Sequence, residues 1–183
     1  MHSSAVLTAL VGAAAVQACV GPAVNQATVN LVAEFEGFRA SEYTDATGHP
    51  TIGYGHLCTA KGCADVAYPK PLSEADGKKQ LAKDLAVAQN CITTMTANPV
   101  TLNANQYGAL VSWAFNVGCG AAKSSTLIKE LNAGKDARTV IDTELPKWNK
   151  GNGKPIAGLT RRRKAEVDLS HVATSQGALP AKC

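Results

Sequence analysis

The chain has 183 residues, 45% of them hydrophobic and 17% charged, with a formal net charge of +4 and six cysteines. This composition sits near the globular average and argues against disorder; no internal repeat or low-complexity tract is visible. The modest positive excess suits an anionic polymer as partner, and the absence of a zinc-finger pattern or of aromatics interleaved with basic residues argues against nucleic acid.

The chain opens with an uncharged apolar run, Ala5 to Ala18, ending Val16-Gln17-Ala18. A bilayer-spanning helix needs about twenty apolar residues, so this run is too short to span, and its small residues suit signal peptidase. Residues 1–18 are therefore expected to be a secretory signal, although the segment before the run has no Lys or Arg. Acylation of Cys19 is the competing reading, and Gln17 fits that pattern poorly. Residues 19–183 then form one domain, with no later apolar run long enough to cross a membrane.

Val29, Val32 and Phe35 predict a short helix over 27–36, with Gly37 as its stop. Tyr43 to Leu57 alternates and is rich in Thr, Tyr, Gly and Ile, which predicts a hairpin turning at Thr47-Gly48. Gly53 and Gly55 either permit a tight strand path or leave a bare wall for a ligand. Cys58 to Pro71 reads as an irregular loop stapled at its base. Ser73 with Asp76 resembles a helix cap, and Leu81, Leu85, Ala88, Ile92 and Met95 predict one long helix over about 74–96.

Beyond Asn98-Pro99, the stripe Tyr107, Leu110, Val111, Ala114 and Phe115 predicts a core helix ended by Gly118 and Gly120. Trp113 and Phe115 on that stripe are expected to pack in the core rather than stack on a ligand. Short helices are predicted over Leu127–Asn132 and Asp136–Leu145, then a loop from Trp148 to Gly158. A last helix spans about Leu159–Ser170. It carries the densest charge run, Arg161 to Lys164, whose default reading is a solvated, anion-attracting face.

Six cysteines in a chain expected to be exported imply three disulfides, although six allow fifteen pairings. Locality and the termini favour Cys58 with Cys63, Cys91 with Cys119, and Cys19 with Cys183. Zinc is the competing account, but there is no CxxC pair and His49 and His56 lack ligand-spaced partners, so no metal is expected.

The stretch Glu36 to His56 carries the chemistry. Glycosidic bonds are cleaved by two unequal carboxyls, one protonated and one ionised. Glu36 follows Leu31, Val32 and Phe35, and apolar walls favour its proton; Asp45 lies among Thr44, Thr47 and Gly48, which favour the ion. Thr51 is placed to hold a water between them. The plainer alternative makes Glu36 a solvated helix-end charge and Asp45 a turn former.

The gaps Glu36, eight residues, Asp45, five residues, Thr51 resemble the triad of phage-type lysozymes, glycoside hydrolase family 24. The resemblance extends through Tyr43, Thr51-Ile52-Gly53, Gly55-His56, Asn105-Gln106, Ala114-Phe115-Asn116-Val117-Gly118 and Gly158-Leu159. It implies an α+β, lysozyme-like fold, mainly helical, with a small hairpin lobe joined by a long helix to a helical lobe. It also implies a monomeric, cofactor-free hydrolase of bacterial peptidoglycan with Glu36 as general acid, Asp45 as partner carboxylate and inversion at the anomeric carbon. Arg162 would pair with Glu36, opposing the apolar effect, and Gly55, Leu57 and Asn116 are candidate substrate contacts. Two other readings remain: a non-catalytic wall- or chitin-binding module, and a cationic antimicrobial protein acting through Arg161 to Lys164.

Overall fold

In the computed structural model, which describes residues 21–45, 47–96 and 100–181, the first helix begins where the Asn25 side chain accepts the Thr28 backbone N–H. This helix, α1 (Gln26–Glu36), buries Val29, Val32 and Ala33. It stops at Gly37, whose φ of 72° is cheap only for glycine and whose N–H closes onto the Ala33 carbonyl. Glu36 is therefore the last residue of a rigid element.

The expected hairpin is part of a wider sheet. β1 (Arg39–Thr44), β2 (Pro50–Gly53) and β3 (His56–Leu57) form an antiparallel three-stranded sheet in the order β1-β2-β3. Tyr43 lies opposite Thr51, and Thr51 opposite Leu57, so these three side chains share one face. Ile52 points the other way into a small core with Cys63, Val66 and Leu72. A disulfide between Cys58 and Cys63 pins the following loop beneath it.

The helix expected over 74–96 comes in two segments, α2 (Glu74–Asp84) and α3 (Ala86–Met95). Backbone hydrogen bonds from Leu85 to Leu81 and from Gln89 to Leu85 run through the joint. The break is thus a local tightening, with ψ of −15° at the fully buried Leu85. Ser73 caps α2 by accepting the Asp76 N–H.

After β4 (Leu102–Asn103), α4 (Ala104–Val117) runs through the centre, started by a reciprocal Asn103/Gln106 capping box. Tyr107, Leu110, Val111, Trp113 and Ala114 are all buried on it. Trp113 packs edge-on against Trp148, with centroids 5.2 Å apart. α1 crosses α4 at Gly108, where a Cβ would lie 1.9 Å from the Thr28 hydroxyl oxygen.

Gly118 ends α4, but Gly120 does not act as a second stop: it lies within α5 (Cys119–Lys123). A disulfide from Cys91 to Cys119 joins α3 to α5, with 5.8 Å between the Cα atoms. α6 (Thr126–Asn132) and α7 (Ala137–Glu144) follow. The segment expected as a loop after Trp148 contains a small hairpin, β5 (Lys150–Gly151) and β6 (Lys154–Pro155). It turns on Asn152-Gly153, with φ of 49° and 78°. α8 (Ala157–His171) then packs along α4, and β7 (Gly177–Leu179) pairs with β4.

The architecture is the expected α+β one: a small sheet lobe and a helical body around α4. No helix among the described residues is long and apolar enough to cross a membrane. The proposed signal segment, residues 1–18, and the Cys19–Cys183 pairing lie outside the described residues.

Candidate active site

Glu36 receives the Nη1 of Arg162 on its Oε1 at 2.7 Å. The arginine side chain is 5% exposed and the glutamate 26%, so the carboxyl is reachable while its partner is not. The environment differs from the apolar one expected of Glu36. Phe35, the nearest apolar side chain in sequence, lies against cations: the guanidinium carbons of Arg161 and Arg162 stand 5.0 and 5.6 Å from its ring centroid. α1 thus ends in an aromatic–cation–carboxylate stack.

Asp45 lies just after β1 and is held by its own turn. Its Oδ1 accepts the Thr47 N–H at 2.8 Å, the His49 N–H at 2.9 Å and the Thr47 hydroxyl at 2.8 Å. The His49 backbone N–H and then the Thr47 hydroxyl keep this carboxyl below its ordinary range, so it is an ion at neutral pH. Its side chain is 23% exposed.

Thr51 is buried, and its hydroxyl donates to the His49 carbonyl at 3.1 Å. Asp45 and Thr51 are therefore braced on the same turn residue. With its proton committed, Thr51 has only lone pairs to offer a water or a sugar hydroxyl. Leu57, opposite Thr51, is 54% exposed. Gly55 forms the β2–β3 turn with φ of 84° and has open space where a side chain would be, so it meets both a conformational demand and a bare wall. Between them, His56 is clasped by Asp84 on Nδ1 at 2.9 Å and Asp65 on Nε2 at 3.2 Å, which ties β3 to α2 and the disulfide loop.

Asn116 is exposed near the end of α4, its Oδ1 accepting from Arg163 Nη2 at 3.1 Å. The basic run is not the solvated face expected of it. Arg161 and Lys164 are exposed, but Arg162 and Arg163 are buried around Glu166, which has no accessible surface. Glu166 Oε1 accepts from the Ser112 hydroxyl at 2.7 Å, Arg163 Nη2 at 2.9 Å and Arg162 Nε at 3.3 Å. Its Oε2 lies 2.8 Å from Arg163 Nε. Glu166 was not among the residues singled out from sequence, and Arg163 entered only as a member of the basic run. Their signal was helical spacing: Glu166 is three and four residues beyond the two arginines, on one face of α8.

The structure thus brings Arg162 against Glu36, links Asn116 to the same buried charges through Arg163, and groups Asp45, Thr51, Gly55 and Leu57 on one small sheet. This arrangement offers two accessible carboxyls in opposite settings, one facing a guanidinium and one cradled by donors.

Most of the chain is similar to known proteins. A family model described as phage lysozyme matches residues 33–166. The endolysin of Bacillus phage B103 is 39% identical over 148 residues, covering 80% of this chain and 53% of that protein. The endolysin of Bacillus phage PZA is 35% identical over 153 residues, covering 82% and 56%. The chain therefore spans about half the length of these relatives. Among solved structures, a P22 lysozyme variant superposes with a TM-score of 0.68 at 31% identity, over 80% of this chain and 96% of that one. The muramidase domain of SpmX from Asticaccaulis excentricus gives 0.64 at 29% identity, over 82% and 98%. The chain belongs to the phage lysozyme family.

Proposed function

We propose that the chain is an exported muramidase that hydrolyses the β-1,4 bond between N-acetylmuramic acid and N-acetylglucosamine in bacterial peptidoglycan. The observation that carries this reading is the contrast between two accessible carboxyls: Glu36 on Arg162, and Asp45 kept ionised by its turn. Glu36 in its protonated form gives its proton to the glycosidic oxygen as the C–O bond breaks. Asp45 takes the proton of a water attacking the anomeric carbon from the opposite face, which inverts it. Thr51 accepts a hydrogen bond from that water, and Gly55, Leu57 and Asn116 contact the sugar chain. These are proton transfers and need no cofactor.

Relatives named endolysins, and a structural neighbour titled a muramidase domain, support the substrate class. Disulfides at Cys58–Cys63 and Cys91–Cys119 support an oxidising destination, in line with a signal at residues 1–18. The enzyme acts as a monomer without nucleic acid. Burial of Arg162 and Arg163 removes half of the basic run on which a membrane-disrupting role would rest.

The test is Glu36→Gln assayed on purified peptidoglycan. Lysis should vanish while the circular dichroism spectrum is unchanged; wild-type lysis by this variant would falsify the assignment. Proton NMR of the first reducing ends released from a defined oligomer reads the anomer directly, with the α form expected for inversion of a β bond.

A further inference from the structure

Arg162 does not approach Glu36 as a free side chain. Its Nε points to Glu166 Oε1 at 3.3 Å, its Nη2 donates to the Ser112 carbonyl at 3.3 Å, and only Nη1 remains for Glu36. A guanidinium is a rigid planar fork, so fixing two of its nitrogens fixes the third. Burial pushes the Glu166 carboxyl up, against the pull of the Arg163 and Arg162 guanidiniums and the Ser112 hydroxyl. A guanidinium is a permanent cation in proteins, so a neutral Glu166 would leave two buried cations side by side. Glu166 is therefore the ion at neutral pH.

The charges around Glu36 are few. α4 carries none and offers only Ser112 and Asn116. α2 packs on α1 and sets the Lys78 ammonium on the Asn30 side chain, six residues before Glu36. α1 adds the exposed Glu34; α7 and the turn after it hold Asp142 with His171 and Glu144 with Lys147; α8 adds Arg161 over Phe35 and Lys164 with Asp168. The pairs outside the buried group are each matched within themselves. The group itself is Glu36, Arg162, Glu166 and Arg163: two carboxylates and two guanidiniums.

We propose that Glu166 is a positioning residue for Glu36: its buried carboxylate aims Arg162 at Glu36 and, balanced by Arg163, sets the positive charge that the Glu36 carboxyl faces. The proposal deepens the reading of Glu36 as general acid and rests on it. Glu166 reaches Glu36 only through Arg162, and it need touch no substrate.

The test compares Glu166→Gln and Arg163→Gln with wild type, following kcat against pH on a defined peptidoglycan oligomer and the Glu36 carboxyl by ¹³C NMR. Glu166→Gln leaves two cations facing one carboxylate, so Glu36 loses its proton earlier. The alkaline limb of kcat then falls by roughly half a pH unit or more. Arg163→Gln removes a cation and moves the limb up by a similar amount. Glu166→Asp, which keeps the charge, holds the limb near its wild-type place. Loss of packing alone lowers the melting temperature of every variant but cannot displace the limb in opposite directions. Limbs unmoved, or moved the same way, together with an unmoved Glu36 signal, overturn the proposal. A Glu36 signal that moves with the expected signs while the limb stays put keeps the link from Glu166 to Glu36 and removes Glu36 as the acid. Should Glu166→Gln not fold, the sign of the Arg163→Gln shift decides.

Discussion

Arg162 reaches Glu36 across 126 residues of sequence, from the first turns of α8 to the last residue of α1, and the contact is 2.7 Å. The two helices that hold it both pack on α4, so its geometry is set by the core rather than by a loop.

Arg162→Met removes the cation while filling most of its volume. A positive neighbour favours the ionised carboxyl, so its loss lets Glu36 keep its proton to higher pH. The alkaline limb of kcat should rise by roughly one unit. Stability should fall by about 3 kcal/mol, because Glu166 loses one of its two buried cationic partners. Activity profiles and urea unfolding read the two effects separately.

Thr47→Val acts on the other carboxyl with the opposite requirement. The Thr47 hydroxyl helps hold Asp45 below its ordinary range, and without it the carboxyl moves back toward the usual value near 4. As base, Asp45 must be ionised, so the acid limb of kcat/KM moves up. The alkaline limb stays in place, which a pH series on the same substrate checks.

Gly108→Ala forces a methyl group onto the Thr28 hydroxyl at the crossing of α1 and α4. Overpacking of this kind costs about 1–3 kcal/mol. Thr28→Ala in the same chain should restore part of that loss even though it deletes the hydrogen bond from the Thr28 hydroxyl to Asn25. A double-mutant cycle in urea measures the coupling, and strictly additive costs would refute the clash.

The two described disulfides differ in loop length, with sequence separations of 28 for Cys91–Cys119 and 5 for Cys58–Cys63. Chain-entropy arguments give about 3.5 kcal/mol for the longer and about 2 kcal/mol for the shorter. Replacing Cys91 and Cys119 together by Ala should therefore lower the unfolding free energy more than replacing Cys58 and Cys63. Calorimetry of the two variants gives the order.

Asp65 is held well below the ordinary carboxylate range, chiefly by the Thr59 backbone N–H and then by its hydroxyl, with a further contribution from His56. A carboxyl lowered in the folded state stabilises the fold above its unfolded value near 3.9, and that support is lost as pH falls through the folded value. The melting temperature should therefore drop below about pH 4. Asp65→Asn is expected to melt lower at neutral pH yet show a shallower decline between about pH 4 and 2.

Much of the fold is legible because its helices carry strong periodic stripes: Val29, Val32 and Phe35 mark α1, and Tyr107 to Ala114 mark α4. What escaped is either very short or long-range. β4 and β7 pair residues 102–103 with 177–179, and strands of two and three residues leave no alternation to read. The β5–β6 hairpin did leave a signal, since Asn152-Gly153 is a dipeptide whose positive φ values suit a tight turn. It was hidden in a segment rich in Gly, Asn and Lys. The carboxyl spacing of Glu36 and Asp45 was visible, but the surroundings of Glu36 were not. Local sequence offers Leu31, Val32 and Phe35, whereas the folded chain supplies Arg162 from the far end. The run Arg161 to Lys164 misled because linear charge density ignores the turn of about 100° per residue, which sends its two central members inward and leaves the outer two in water.

The strand pairing at the carboxyl side has a mechanical meaning. Tension passed along the chain to Leu179 enters β7, where it is resisted by the bonds to Leu102 and by the Gln176 carbonyl on the Ala104 N–H. Next comes the Asn105 amide on the Val172 carbonyl, and only then α8. A tether or a fused cargo on that side therefore peels a short zipper before it can tug on the helix, and the acid keeps its partner while the tail gives way.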